Sequence, residues 1–127
     1  MDEQTRITLI PKAAFAYLEI FYQGQGFKLT EEKLPFLLGR DAASCQLVID
    51  HQKASRQHCS LVVEDGQIGL RDESSNGTSV QVGRGGSIIV KDKFYPLSGQ
   101  GCIQLGRTII PDAPDLIHFK MVYKTAK

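Results

Sequence analysis

Short segments rich in β-branched and aromatic residues recur along this chain at intervals of roughly 8–12 residues. Examples are FAYLEIFYQ at residues 15–23, CSLVVE at 59–64 and LIHFKMVY at 116–123, whereas helical periodicity is hard to find. Turn-forming pairs separate the segments: Asp65-Gly66, Asn76-Gly77, Gly85-Gly86 and Ser98-Gly99. This regular spacing of strand-like segments and turns predicts an all-β fold, either an antiparallel sandwich or a barrel.

The clearest hairpin is CSLVVEDGQIGLRD. Its alternating pattern places Leu61 and Val63 on one face, and Ile68 and Leu70 are expected on the same face of the strand that follows the Asp65-Gly66 turn. A β-sandwich uses its strands for packing and exposes its loops at the two ends, so functional side chains are expected in loops.

Length and composition indicate one domain. The chain has 127 residues, of which 42% are apolar, enough for one core but not for two. Residues 1–13 are predicted to be a poorly ordered leader and residues 14–127 the folded domain. The chain could also be one module of a longer protein with other domains.

The charge balance limits the kinds of partner. Fifteen basic and 14 acidic residues give a formal net charge of +1, which argues against a general nucleic-acid binder. An anion must instead be met by a local group of donors. Without an apolar run of about 18 residues or a basic segment before an apolar stretch at the N-terminus, we expect a cytoplasmic protein with no membrane partner.

Three cysteines, Cys45, Cys59 and Cys102, are widely spaced and form no Cys-x-x-Cys pair. A disulfide framework and a zinc site are therefore not expected, and all three are predicted to be buried, reduced thiols. We expect no metal and no cofactor.

Polar residues gather in three predicted loops. The first is Gly39-Arg40, directly after the apolar run LPFLL. The second runs from His51 to His58, and the third is ESSNGT between two β-segments.

One interpretation of these loops is catalytic, with Ser55 as nucleophile, His58 as base and Asp50 or Asp72 orienting the base. The sequence lacks the sharp strand–turn–helix that presents such a serine, so this interpretation is disfavoured. His58 more simply begins a strand and satisfies a buried backbone group. His118, on an otherwise apolar strand, is predicted to lie at the edge of the core.

A second enzymatic interpretation rests on GCIQLGRT at residues 101–108, which approaches the phosphate-loop pattern of nucleotide hydrolases. Arg107 stands where that pattern needs Lys. Its central residues alternate as in a strand, with Ile103 and Leu105 on one side, and the following RTIIPDAP cannot begin a helix. No catalytic activity is therefore expected.

A third interpretation is anion binding without chemistry. A phosphate on a side chain is well met by a guanidinium with neutral hydroxyl and amide donors, which Arg40, Ser55, Ser75 and Asn76 could supply. The Asn76 amide carries both a donor and an acceptor, so it could also hold a peptide backbone. Taken alone, Asn76-Gly77 fits a plain hairpin turn and Arg40 fits a surface arginine.

Together, in this order, the motifs resemble the forkhead-associated (FHA) family of phosphothreonine-peptide-binding domains. The residues that carry the resemblance are Gly39-Arg40, Ser55-Arg56-Gln57-His58, Leu70-Arg71-Asp72 and Ser75-Asn76-Gly77-Thr78. It extends over about residues 16–123 and implies a sandwich of about eleven strands that holds the peptide in loops at one end.

The resemblance also implies a role for each residue. Arg40 and Ser55 would contact the phosphate, Ser75 would add a donor, and Asn76 would hold the peptide backbone. Lys53 occupies the place that reads the third residue after the phosphothreonine, although it could equally be a solvated lysine. Arg56 would touch the phosphopeptide or brace its loop.

The remaining motif residues, Gly39, His58 and Gly77, would be structural. After Asn-Gly-Thr the family often has an aromatic residue and then Val-Asn-Gly, whereas this chain has SVQVG. The expected function is phosphothreonine-dependent protein–protein interaction in signalling or assembly. The alternative is an FHA-like scaffold that binds a partner independently of phosphorylation.

Overall fold

The computed structural model describes residues 15–124. The leader predicted at residues 1–13 lies outside this range. Within it, eleven β-strands and one short 3-10 helix (Glu31–Lys33) follow one another. The strands are β1 (Phe15–Tyr22), β2 (Gln25–Leu29), β3 (Phe36–Gly39), β4 (Leu47–Val48), β5 (Cys59–Glu64), β6 (Gln67–Asp72), β7 (Thr78–Val82), β8 (Ser87–Val90), β9 (Phe94–Pro96), β10 (Gln100–Leu105) and β11 (Ile117–Tyr123).

These strands form two sheets. The first has six strands in the order β2-β1-β11-β10-β7-β8, and the second has five in the order β4-β3-β5-β6-β9. This arrangement confirms the predicted β-sandwich of about eleven strands. It differs in one detail from an antiparallel sandwich, because β3 and the two-residue β4 pair in parallel.

Alternation along each strand fills the space between the sheets. Leu18, Ile20, Leu38, Leu61, Leu70, Ile103, Leu105 and Ile117 are fully buried there. The predicted hairpin has the expected register, with Leu61 opposite Leu70 and Val63 opposite Ile68. Val63 is nevertheless 38% exposed, so only the inner part of the hairpin face contributes to the core.

The phosphate-loop-like segment is strand β10, as its alternation predicted. Ile103 and Leu105 point into the core, whereas Gln104 points to the opposite face and is still fully buried. The loop after β10 covers it, since Gln104 Nε2 donates to Asp115 Oδ1 (3.1 Å) and its Oε1 accepts the Ile110 N–H (2.6 Å). No helix follows within residues 106–124, so this segment does not have the geometry of a phosphate loop.

Two predictions about single side chains were wrong. All three cysteines are free thiols, but Cys45 and Cys102 are partly exposed and only Cys59 is buried. His118 is exposed on the outer face of the six-stranded sheet rather than at the edge of the core, because its neighbours Ile117 and Phe119 point into the core and strand alternation turns His118 outward. No helix in residues 15–124 has the length and apolar character required to cross a membrane.

Candidate functional site

Three loops meet at one end of the sandwich: the β3–β4 loop (residues 40–46), the β4–β5 loop (49–58) and the β6–β7 loop (73–77). The Arg40 N–H donates to the Ser55 carbonyl (2.9 Å), and the Ser75 N–H donates to the Ser55 hydroxyl (3.1 Å). The three polar clusters, which are separate in sequence, therefore share one surface, which we call the loop site.

His58 joins two of these loops from beneath. Its imidazole is fully buried; Nδ1 accepts the Ser55 N–H (2.9 Å) and Nε2 donates to the Gly77 carbonyl (2.8 Å). Burial lowers the pKa of His58, and the opposing effects of the Gly77 hydrogen bond and the Asp72 carboxylate do not reverse this shift. A neutral imidazole therefore holds the β4–β5 and β6–β7 loops together.

This geometry does not form a nucleophile–base pair. The Ser55 hydroxyl accepts the Ser75 N–H, and both ring nitrogens of His58 are engaged by backbone groups. No ring nitrogen is available to take a proton from the hydroxyl, as serine catalysis requires.

Gly39 lets the β4–β5 loop lie directly against β3. A Cβ at this position would collide with the Arg56 carbonyl and lie 2.9 Å from the His58 nitrogen. Hydrogen bonds on both sides fix the contact, from the His58 N–H to the Leu38 carbonyl (2.9 Å) and from the Asp41 N–H to the Arg56 carbonyl (3.0 Å). Only glycine fits, so Gly39 sets the position of the loop that carries Ser55.

Asp72 holds the β6–β7 loop in shape. Its buried carboxylate accepts the hydroxyls of Ser74 and Thr78 (2.7 Å each) and the N–H groups of Ser74 (3.2 Å) and Asp92 (2.9 Å). Burial opposes ionisation, but these hydrogen bonds together hold the pKa of Asp72 below its usual value. The Ser74 hydroxyl in turn accepts the Gly77 N–H (2.8 Å).

Gly77 completes this turn. It has a positive φ of 85°, the left-handed conformation that glycine tolerates best. A Cβ there would lie 3.0 Å from an Ile89 methyl group. The resulting turn leaves Ser75 and Asn76 exposed at its tip.

Arg40 is exposed at the start of the β3–β4 loop. Its Nε donates to the carbonyl of buried Ala54 (2.9 Å), which fixes the plane of the guanidinium. Within residues 15–124 the two terminal nitrogens have no hydrogen-bond partner, so they can donate to an anion.

Asn76 reaches across to the β4–β5 loop, where its Nδ2 donates to the Lys53 carbonyl (3.1 Å). This bond fixes the amide and leaves Oδ1 and one N–H for a ligand. The Lys53 N–H donates to His51 Nδ1 (3.0 Å), while the Lys53 side chain is exposed.

Arg56 is also exposed at the loop site. Its carbonyl accepts the Asp41 N–H and the Cys45 thiol (3.2 Å), so its backbone braces the β3–β4 loop while its guanidinium faces outward. Arg40, Lys53 and Arg56 together place three exposed cationic side chains on the loop site.

A scan against protein-family models matches the FHA domain over residues 36–106, more than half of the chain. The chain belongs to the FHA family. The matched range contains every residue assigned above to the loop site. No curated protein matches this FHA domain.

Several solved structures share its fold. The FHA-1 domain of Mycobacterium tuberculosis Rv1747 is 21% identical, with a TM-score of 0.61 over 85% of this chain and 98% of that chain. The N-terminal FHA domain of S. cerevisiae Rad53p, in complex with a phosphothreonine peptide, is 20% identical, with a TM-score of 0.61 over 85% and 94%. M. tuberculosis EmbR, in complex with a low-affinity phosphopeptide, is 24% identical, with a TM-score of 0.59 over 90% of this chain and 26% of that chain.

Sequence reasoning missed two residues that shape the loop site of this FHA domain. The Ser74 hydroxyl links Asp72 to Gly77; the available signal was the run Asp-x-Ser, in which a side-chain carboxylate commonly bonds its own backbone two residues on. Gly106 has a φ of 81°, and a Cβ there would collide with the Lys53 carbonyl. Only the tertiary contact between β10 and the β4–β5 loop reveals that requirement.

Proposed function

We propose that this FHA domain binds a phosphothreonine-containing segment of a partner protein at the loop site and catalyses no reaction there. The observation that carries the proposal is the convergence of Arg40, Ser55, Ser75 and Asn76 from three loops onto one surface. A guanidinium and hydroxyls match a phosphate group, which carries about −1.5 to −2 charge and three strong acceptors. The phosphopeptide complexes of Rad53p and EmbR support the choice of ligand.

Each side chain has a distinct part. The terminal nitrogens of Arg40 bind phosphate oxygens, and the hydroxyls of Ser55 and Ser75 donate to the same group. Oδ1 and the remaining N–H of Asn76 bind the backbone of the peptide beside the phosphothreonine. Gly39, His58 and Gly77 touch no ligand and keep the loops in position.

Replacement of Arg40 tests the phosphate contact. Charge-assisted hydrogen bonds contribute about 1.5–3 kcal/mol each, so Arg40→Ala should weaken binding at least about tenfold in titrations with a phosphothreonine peptide library. Lys33→Ala is the charge-matched control, since Lys33 is an exposed cation in the 3-10 helix before β3, whereas the loop site lies after the end of that strand. Equal affinities of Arg40→Ala and wild type would refute the assignment.

Asn76 is tested by comparing two ligands. Asn76→Ala should abolish binding of the phosphopeptide but leave weak binding of inorganic phosphate unchanged, because its amide holds peptide backbone. The opposite pattern, with phosphate lost and peptide retained, would contradict this role. Circular dichroism checks that the fold is intact.

Lys53 and Arg56 are proposed to select among phosphopeptides. Both side chains are exposed on the β4–β5 loop, where Lys53 would read the third residue after the phosphothreonine. Lys53→Glu should change the order of affinities in a library varied at that position, and an unchanged order would reject the assignment. For Arg56, Arg56→Ala should weaken all phosphopeptides by a similar factor, and unaltered affinities would leave Arg56 as a backbone brace only.

The same library in phosphoserine and unphosphorylated forms distinguishes this function from a phosphorylation-independent scaffold. We expect the phosphothreonine form to bind most tightly. Equal binding of the unphosphorylated form would overturn the proposal in favour of the scaffold.

A further inference from the structure

A groove of about 410 Å³ crosses the outer face of the six-stranded sheet, away from the loop site. Phe21, His118 and Cys102 lie side by side on β1, β11 and β10 and form its central row. Gly106 follows β10 and contacts the loop site, and Cys102 lies four residues before it, which corresponds to roughly 13 Å along the strand. A ligand in this groove therefore need not touch the three loops.

The groove is basic. Arg84 in the β7–β8 turn and Lys120 on β11 line it and are both exposed, and no acidic residue among residues 15–124 lines it. The glutamate nearest in register, Glu19 on β1, stands between Lys120 on β11 and Lys28 on β2, so lysines flank it on both sides. The two cations in the groove thus favour a ligand that carries carboxylates.

The groove also has an apolar part. Phe21 is 45% exposed there, although every other large apolar residue of β1 from Leu18 onward points inward and is buried. An exposed aromatic ring beside exposed cations is typical of protein-binding surfaces, where aromatic residues and arginine are enriched. A partner's apolar side chain could cover this ring.

The backbone beneath the groove is already fully paired. Strand β10 lies between β7 and β11, and β11 lies between β10 and β1. An incoming segment therefore cannot extend the sheet and must be recognised through side chains. The volume accommodates a few side chains, and two cations are too few for the many phosphate contacts of a nucleic-acid site.

From these observations we infer that the groove is a second binding site, for an acidic segment of a partner protein that carries at least one apolar side chain. Its carboxylates pair with Arg84 and Lys120, and its apolar side chain packs on Phe21. At the base, the Cys102 thiol and His118 Nδ1, 3.6 Å apart, offer polar contacts. Binding here requires no phosphate.

The test uses two short unphosphorylated peptides with the same apolar residues, one with glutamates and the other with lysines at its charged positions. In ¹⁵N NMR titrations, the glutamate peptide should shift the amides of Phe21, Cys102 and Lys120, and the lysine peptide should not. Binding should also slow alkylation of Cys102 by iodoacetamide and leave that of Cys45 unchanged. Absence of shifts in the groove, or equal shifts with both peptides, would overturn the inference.

A charge variant provides the second arm. Arg84→Glu with Lys120→Gln should weaken the glutamate peptide at least about tenfold. Glutamine at 120 avoids placing a second carboxylate opposite Glu19. The control Lys33→Glu with Lys124→Gln changes the net charge equally at exposed sites outside the groove and should bind as wild type. An equal loss of affinity in the control would show that the peptide responds only to the net charge of the protein, and this would refute the site.

Two competition measurements distinguish the groove from the loop site and from a nucleic-acid site. Arg40→Ala should bind the glutamate peptide as wild type does, and a saturating phosphothreonine peptide should not displace it. Displacement would place the acidic peptide in the loop site and overturn the inference. The proposed function would not be affected, because phosphopeptide binding tests it separately. Competition by a single-stranded oligonucleotide at equal concentration would indicate a nucleic-acid site instead and would likewise overturn it.

Discussion

His58 is expected to determine the stability of the loop site, and its substitution by alanine tests this directly. Alanine removes both hydrogen bonds of a fully buried imidazole. Water can reach the N–H of half-exposed Ser55, so that loss costs about 1 kcal/mol. The buried Gly77 carbonyl still accepts the Gly106 N–H (2.9 Å) and loses only one of its two hydrogen bonds, which costs about another 1 kcal/mol. With about 1 kcal/mol for lost packing, the free energy of unfolding should fall by about 3 kcal/mol.

Two amide substitutions separate the two hydrogen bonds. In His58→Asn, Oδ1 takes the place of Nδ1 and can accept the Ser55 N–H, but the short side chain does not reach the Gly77 carbonyl, which keeps only the Gly106 N–H. In His58→Gln, the longer side chain reaches that carbonyl with an N–H. Because the bond to Gly77 is the more buried, His58→Gln should be the more stable of the two variants.

Urea unfolding with linear extrapolation measures all three variants. A loss below about 1 kcal/mol in His58→Ala would refute the reasoning, because the two lost hydrogen bonds together should cost about 2 kcal/mol. Equal stabilities of the asparagine and glutamine variants would refute the ranking of the two bonds. As a positioning residue, His58 should also leave the phosphopeptide affinity of folded His58→Gln within a few-fold of wild type.

Three further predictions concern the same end of the molecule. Burial holds the pKa of His58 below its ordinary 6.5, so on acidification the unfolded chain takes up a proton before the folded chain does. The free energy of unfolding should therefore fall as the pH decreases below about 6.5. Urea unfolding at a series of pH values should show a smaller fall in His58→Gln. Asp72→Asn turns an amide donor toward groups that already donate, so it should lower the free energy of unfolding by about 2–4 kcal/mol, and an isoenergetic variant would contradict the hydrogen-bond assignment. Gly39→Ala should cost about 1–3 kcal/mol or more through collision with the Arg56 carbonyl, whereas Gly86→Ala, where a Cβ meets nothing within 4 Å, should leave the melting temperature unchanged; similar melting temperatures would refute the close approach.

Local chemistry made most of the strands and turns predictable from the sequence. Alternating apolar residues identified the β5–β6 hairpin and its register, because side chains on a strand point to opposite faces in turn. Asp65-Gly66 and Asn76-Gly77 mark turns since Asp65, Gly66 and Gly77 adopt positive φ angles that few other residues tolerate. The same reasoning identified GCIQLGRT as a strand rather than a phosphate loop.

Long-range packing decided what the sequence left open. Cys102 and His118 lie on strands whose pattern cannot tell whether a loop covers their outer face; Gln104, two residues beyond Cys102 on the same face, is buried only because the loop after β10 folds over it. Likewise, no local pattern predicts that β4 pairs with β3 in parallel, because this pairing depends on how the intervening loop folds.

The sequence by itself determined the β-rich architecture and the types of side chain in the three polar loops, because both follow from residue chemistry within a few positions along the chain. Whether Ser55, Arg56 and His58 form a catalytic group was decided only by the tertiary structure. Hydrogen bonding is directional, and the distances between Ser55, His58 and Gly77 exist only after the sheets have packed. At those distances both ring nitrogens of His58 bond to backbone groups, and the Ser55 hydroxyl lies on the same surface as Arg40.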